Sequence, residues 1–311
     1  MTLLEFLWVG VRADTIPLNA NSGWQIFGET QLFQWMPDIR IVQVTWDSSR
    51  SNSFLAYPLP HALTSADSFA FTFDLLLESH AVGLRPDRPS TFQITVGMVR
   101  IGTVTVPNYV RGSLSGPKDT VEWAWFGDSD PISASVSPVI IPSDGRLPWG
   151  YADSYINLEI GIHYLFVLAY SALDRTARIT LQQNGTNGPA LQPIVLPANF
   201  TDFQVDTFAI SNYSDLGQHP LYGGSVLATG KISNLTLTLP SNPIESLVLR
   251  NGEIVFQGQP GWRFTLETSS DLKAWTTVSE INPLIAGELR LSDSREAVFA
   301  VQFYRVKARR P

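Results

Sequence analysis

Two stretches of the chain put carboxylates where chemistry would be sought: Glu122-Trp123-Ala124-Trp125-Phe126-Gly127-Asp128, and residues 68–78, which contain Asp74 and Glu78. Hydrolysis of a glycosidic bond needs two facing carboxyls, ~5–5.5 Å apart for retention and ~6.5–9.5 Å for inversion. On an extended strand alternate residues share a face. Glu122 then sits with Ala124 and Phe126 and has no carboxylate neighbour on its strand. Asp74 and Glu78 do share a face but lie ~13 Å apart along a strand, too far to act together. Lyase chemistry wants a Tyr or His base beside an Arg or Gln that neutralises a uronate. His163 and Tyr164 lie near Tyr170, but no Arg shares their run. A Ser-His-Asp triad built from distant positions is invisible in sequence, and no Gly-x-Ser-x-Gly elbow occurs. Neither Gly-x-x-x-x-Gly-Lys nor Gly-x-Gly-x-x-Gly is present. The balance is against an enzyme.

Binding is better supported. Sugars stack their C–H faces on aromatic rings, while Asp, Asn and Gln hydrogen-bond their hydroxyls. Trp149-Gly150-Tyr151-Ala152-Asp153 follows the turn Ser143-Asp144-Gly145-Arg146, and Phe126-Gly127-Asp128-Ser129-Asp130 lies at a strand end. The candidate ligand-binding residues are therefore Trp149, Tyr151, Asp153, Asp128, Asp130 and Asp144. The competing reading makes Trp123 and Trp125 core, the aspartates turn formers, and the Trp149 loop a lid over the core. Asp128-x-Asp130 also resembles half a calcium loop, with Asp144 and Asp153 as further oxygen donors for Ca²⁺, which takes six to eight oxygens. No second ligand set accompanies it, and no organic cofactor is expected. Asn184, Asn199, Asn212 and Asn234 head glycosylation sequons, which in a bacterial protein are simply parts of Thr/Asn-rich strands and loops.

The elements that must position these residues read as β. Charged residues are 16% of the 311, below the ~25% of an average soluble protein. Apolar residues reach 44%, with 21 Pro and 22 Gly, a mix suited to many strands and turns. Residues 39–46, 68–78 (Phe69, Phe71 and Phe73 on one face), 120–126, 132–141, 160–171, 176–183, 203–211 and 225–239 read as strands. Residues 91–106 give one or two more. Leu173-Asp174-Arg175 reads as a hairpin turn, and Asn184-Gly185 as the turn ending the next strand. No run keeps a helical stripe for three turns, although one-turn helices are expected in loops such as 14–22. Pro240-Ser241-Asn242-Pro243 reads as a linker, and 244–311 carries its own short strands.

Composition also narrows the partners. The net charge is −7, no dense Lys/Arg stripe occurs, and nucleic acid is not an expected partner. Lys307-Ala308-Arg309-Arg310 reads as a solvated tail or a weak anchor to an acidic surface. The absence of Cys excludes disulfides and thiol chemistry. His61, His80, His163 and His219 are scattered, and His163, in an apolar run, reads as a core or sheet residue. No run reaches the ~20 apolar residues of a membrane helix. Residues 3–11 are apolar and Val11-Arg12-Ala13 precedes Asp14, like the tail of a secretory signal. Glu5 and the lack of a basic start argue the other way, toward a first strand, unless the start codon is assigned too far downstream.

Two resemblances follow from these residues. Phe264-Thr265-Leu266-Glu267-Thr268-Ser269-Ser270-Asp271-Leu272-Lys273-Ala274-Trp275 and Phe303-Tyr304-Arg305-Val306 resemble a C-terminal module of secreted bacterial multidomain proteins. Such modules are fibronectin- or immunoglobulin-like spacers. On that basis Leu266 and Trp275 would fill a core while Ser270 and Asp271 cap a turn. Residues 164–170, 178–181, Asn184-Gly185, 203–210 and 230–237 resemble strands of the concanavalin-A-like (laminin-G-type) jelly roll, with Ser233 where that family commonly has Asp. The resemblance implies a glycan- or protein-binding fold that also hosts glycoside hydrolases and polysaccharide lyases. The Glu-x-Asp-x-x-Glu of its laminarinase-type hydrolases is missing.

The expected architecture is all-β: a signal remnant over 1–13, a jelly-roll sandwich over 14–240 and an immunoglobulin-like sandwich over 244–311. The expected role is a secreted or cell-surface bacterial protein that recognises carbohydrate or a surface or matrix partner without catalysis. Two alternatives stay open: a polysaccharide-active enzyme on the jelly roll, and a self-assembling subunit of an extracellular matrix or filament.

Overall fold

The computed structural model describes residues 11–15, 23–36, 40–88, 93–113, 116–127, 134–146, 150–218, 224–240, 244–250, 253–258, 262–283, 287–293 and 303–309. Contacts divide the chain into two compact units, one of Arg12–Leu239 and one that joins Pro240–Pro311 with the residues up to Val11. The linker residues 241–243 lie outside the described residues, and Pro240 ends a strand.

The larger unit is two antiparallel sheets. One runs β14 (Thr186–Asn187), β13 (Thr176–Gln183), β12 (His163–Ser171), β6 (Phe69–Val82), β17 (Val226–Pro240), β4 (Ile41–Asp47), β3 (Phe33–Met36). In addition β1 (Val11–Thr15) pairs with β17 and β15 (Ile194–Val195) with β13. The other runs β10 (Gly150–Tyr151), β9 (Ser135–Ile141), β8 (Thr120–Phe126), β7 (Gln93–Val99), β16 (Gln204–Asn212), β5 (Ser53–Thr64), β2 (Gln25–Phe27), with β11 (Ser154–Tyr155) on β9. This is a jelly-roll β-sandwich. Val11–Ala13 thus belong to a strand; residues 1–10 lie outside the described residues.

Alternation explains why the sheets stack. On β6, Phe69, Phe71, Phe73, Leu75 and Leu77 are fully buried, while Thr72, Asp74 and Leu76 between them are only partly so. On β8, Val121, Trp123 and Trp125 point into the same core. The two rows meet across the gap: the Phe73 ring lies 5.3 Å from Trp123, Trp123 lies 4.7 Å from Phe166, and Phe71 lies 5.4 Å from Phe208. Each such buried side chain is worth ~1.5–3 kcal/mol relative to exposure.

The turns follow residue chemistry. Asn184 and Gly185 both take positive φ (46° and 77°) and close a two-residue loop between Gln183 and Thr186. Positive φ at both positions is the type I′ hairpin, which Asn-Gly favours. The described residues of 91–106, from 93 on, hold one strand, β7, and then a helical turn, α1 (Ile101–Val104), whose first amide donates to Asp206 Oδ1 at 2.9 Å. The one-turn helix expected in 14–22 is not found at Asp14 and Thr15, which are in β1; residues 16–22 lie outside the described residues. His163 is the exposed first residue of β12, a sheet position rather than a core one.

The smaller unit pairs two three-stranded sheets, β18 (Ile244–Arg250), β19 (Glu253–Gly258), β22 (Gly287–Ser292), and β21 (Thr276–Ile281), β20 (Arg263–Ser269), β23 (Phe303–Arg309). Their shared core is Ile254, Phe256, Phe264, Leu266, Leu289 and Leu291. Leu266 is buried there as expected, but Trp275 is not a core residue. It stands at a turn, half-buried, with the Arg305 guanidinium 4.0 Å above its ring. The turn is held by Asp271 Oδ1, which accepts the amides of Lys273 and Ala274 and the hydroxyl of Ser269, one residue earlier than expected.

His80 gives the larger unit a pH dependence. Its ring meets Trp125 edge-on at 5.2 Å, its Nδ1 is buried without a partner, and burial holds its pKa below the ordinary value. The unfolded chain therefore takes up this proton at higher pH, near ~6.5, than the folded one. Stability from this group is complete above ~6.5 and falls as pH drops below it. The urea midpoint should decline between pH 7.5 and 5, and His80→Gln should flatten that part of the decline.

Candidate functional site

The face of the second sheet that points away from the core carries Thr120, Glu122, Ala124 and Phe126 on β8, flanked by Thr95 and Gly97 on β7 and Ser137 and Val139 on β9. Here its centre is filled. Glu122 is completely buried, and Gly97 stands directly opposite it. A Cβ on Gly97 would sit 2.5 Å from Glu122 Cα and 2.4 Å from the Val121 carbonyl oxygen, so only glycine fits.

Arg111, from the loop after α1, lies over Glu122. Its Nε donates to Oε2 at 2.8 Å and its Nη2 stands 2.7 Å from the same oxygen. Tyr213 donates its hydroxyl to Oε1 at 2.7 Å, and the Arg111 guanidinium lies 5.3 Å from the Tyr213 ring centre. Burial pushes the Tyr213 and Tyr109 hydroxyls up, with the Glu122 charge adding to it. For Arg111, burial is the largest single influence and pulls its pKa down, but the charge and hydrogen bond of Glu122 together with Tyr213 and Tyr109 outweigh it and the net shift is upward. The carboxylate therefore has both oxygens engaged by a permanent cation and a phenol that stays protonated. Neither oxygen is left open to a substrate.

The other expected residues are placed as follows. Asp144 is exposed, and its Oδ1 accepts the Arg146 amide at 2.9 Å, a turn-forming role. Asp153 is exposed and accepts the Ser135 hydroxyl at 3.3 Å. Ser135 is four residues along β9 from Val139, the neighbour of Glu122, so Asp153 lies roughly 13 Å along the sheet from that carboxylate. Tyr151 pairs through its backbone with Val139. Asp128, Asp130 and Trp149 lie outside the described residues. Asp74 and Glu78 are separately engaged, by Asn234 at 2.6 Å and by Lys231 and Gln43. No group of three metal-ligating side chains occurs among the described residues.

A cleft that sequence reasoning missed lies beside the anchored loop. It holds about 320 Å³ and is lined by Phe27 and Phe54, Ser51 and Asn52, and Thr105 and Asn108 among others. That volume is at the small end of ligand sites, ~300–1,000 Å³. Three segments far apart in sequence build it, and the anchors are specific. Asn52 Nδ2 donates to the Tyr109 carbonyl at 2.7 Å, and its Oδ1 accepts the Ser214 amide at 2.8 Å. The Phe54 ring packs edge-on against Tyr213 at 5.6 Å, which ties the cleft floor to the Glu122 cluster. Asn108 takes φ 63°, a left-handed conformation that Asn tolerates, and is exposed beside the cleft. Pro107-Asn108 was a readable turn signal; its partners were not.

No family model and no curated protein matches the sequence. Solved structures do match in fold. A winged bean acidic lectin complexed with methyl-α-D-galactose is 14% identical over 74% of this chain and 98% of its own, with a TM-score of 0.45. Peanut lectin with a nine-residue peptide is 14% identical over 75% and 100%, TM-score 0.40. An alginate lyase in complex with an alginate trisaccharide is 13% identical over 73% and 97%, TM-score 0.37. Likeness at this level concerns the fold and assigns no ligand to this chain.

The Glu122 cluster has a measurable energetic signature. Removing one partner of a buried ion pair costs ~3–5 kcal/mol, because the other charge is left unpaired. Arg111→Met should lower the unfolding free energy by that order in urea. Arg111→Met combined with Glu122→Leu should recover much of the loss.

Proposed function

We propose that the protein is a non-catalytic recognition protein that binds carbohydrate through the jelly-roll unit, at the cleft bounded by Phe27, Phe54, Asn52 and Asn108. The observation that carries this reading is the sealing of Glu122. It is the carboxylate at the centre of the sheet's outer face, and Arg111 and Tyr213 occupy both its oxygens. The hydrolase alternative is disfavoured, since a pair of facing carboxyls must be open to substrate and both oxygens of Glu122 are already engaged by Arg111 and Tyr213. The cleft, by contrast, offers groups a sugar could use, namely the partly exposed Phe27 ring beside the exposed Asn108 amide and the hydroxyls of Ser51 and Thr105. A secreted or cell-surface setting, with the smaller unit as an immunoglobulin-like spacer, completes the proposal. The loop holding Trp149, Tyr151 and Asp153 is its second candidate platform, and Asp128 and Asp130 are the candidate Ca²⁺ ligands.

The test is a glycan array probed with the full chain, with and without calcium. Asn108→Gly removes the amide without straining a backbone already at positive φ, so it should keep the fold and weaken the glycan signal several-fold. Loss on Trp149→Ala instead would move the site to the other loop. No signal for any glycan, in either condition, would sink the carbohydrate reading.

A further inference from the structure

Resting on that reading, we infer that the cleft takes a neutral glycan and excludes uronate-containing and other acidic ones. Among the described residues that line it, none is charged. The charge bonded directly to the lining is negative: Glu29 Oε1 accepts the Ser51 amide at 3.0 Å. Glu29 is itself shared with Gln31 at 2.6 Å and with Arg50 at 3.6 Å, and Arg50 is shared again with Asp47 at 3.5 Å. Arg50, the cation paired with Glu29, thus stands between two carboxylates.

Elsewhere in the unit several cations are already paired, and the exposed Arg40, Arg146 and Arg178 are not among the residues lining the cleft. Arg111 is locked to Glu122, and Arg85 and Arg88 converge on the fully buried Asp215 at 3.3 and 2.7 Å. Arg100 faces Asp119 at 3.5 Å, and Lys231 is paired with Glu78. Recognition of a uronate carboxylate relies on an available Arg fork or Lys. Freeing Arg111 would leave Glu122 buried and unpaired, which is costly. The field points the same way: residues 12–239 hold 12 Lys and Arg against 19 Asp and Glu. A polyanion approaching this unit is repelled at long range, whereas a neutral chain is not. What the cleft does supply, the partly exposed Phe27 ring beside the exposed amide of Asn108 and the hydroxyls of Ser51 and Thr105, matches uncharged hydroxyls and C–H faces.

The experiment is calorimetric titration of the full chain with neutral hexasaccharides (cello-, manno-, xylo- and malto-series) and with hexameric oligogalacturonate and oligomannuronate, each at low and at high salt. At least one neutral series should bind with an affinity insensitive to salt. The uronates should be weaker by about tenfold or more at low salt, where repulsion is least screened. Asn108→Gly should weaken the neutral interaction several-fold. Uronates that bind as well as the neutral series, with affinity falling as salt rises, would overturn the inference while leaving carbohydrate recognition standing. Neutral binding unchanged in Asn108→Gly would overturn the assignment to this cleft. Failure of every oligosaccharide would remove the parent reading and this inference together.

Discussion

The structure of the larger unit depends on two aromatic rows that interdigitate between its sheets. Phe69, Phe71 and Phe73 come from β6, Phe166 and Tyr170 from β12, and Trp123, Phe203 and Phe208 from the opposite side. Because side chains on a strand alternate with period two, fixing these rings in the core also fixes which residues face outward. A one-residue slip of β8 would bring Glu122 into the apolar layer and turn Trp123 out. Register and site are therefore one constraint: the rings that hold the sandwich together also deliver Glu122 to the outer face.

Once there, Glu122 cannot stay as a bare charge, since the surrounding sheet face is buried as well. Ala124, Val139 and Ile141 form a small apolar cluster on the same face. A buried carboxylate is tolerable only when paired and hydrogen-bonded. Arg111 and Tyr213 supply both, and in doing so they set the path of two loops. Further bonds fasten these loops to each other and to the end of β5: Gly112 amide to Gln218 Oε1 at 2.7 Å, and Asn52 to both Tyr109 and Ser214. The cleft at Phe27, Phe54 and Asn108 is the space left beside that fastening. Its shape follows from a charge that had to be neutralised, which links packing to the form of the surface.

Local pattern made part of this legible and distance hid the rest. The strands 68–78, 120–126, 160–171 and 176–183 were readable because alternation and Asn-Gly turn chemistry are properties of neighbours in sequence. The same logic placed Glu122 on a face with no second carboxylate. It could not show Arg111, whose pairing is made by a loop folding back over the sheet. Nor could it show Tyr213, 91 residues away along the chain. The cleft draws on residues near 27, 52 and 108, which only the β2–β5 pairing and the α1 turn bring together. Trp275 misled for a similar reason: its neighbours in sequence suggested a core, but Arg305, thirty residues on, gives the ring a cationic cover at the surface. Asp271 was read correctly as a turn former because its partners are all within three residues.

The division between legible and hidden residues also separates structural from recognition roles. Carboxylates with local partners, such as Asp144 on the Arg146 amide and Asp271 on its own turn, are explained by the backbone they hold. Glu122 is explained by the loops it pins. Asn52 has its amide oriented by two backbone groups, while Asn108, at a left-handed turn, is held by its backbone conformation alone. An exposed amide beside ring surface at a turn built by long-range anchors is pre-positioned, so a ligand meeting it need not repay the entropy of ordering a loop. The carboxylate on the outer face of this jelly roll thus acts through packing: by pairing with Arg111 and Tyr213 it holds the rim in place.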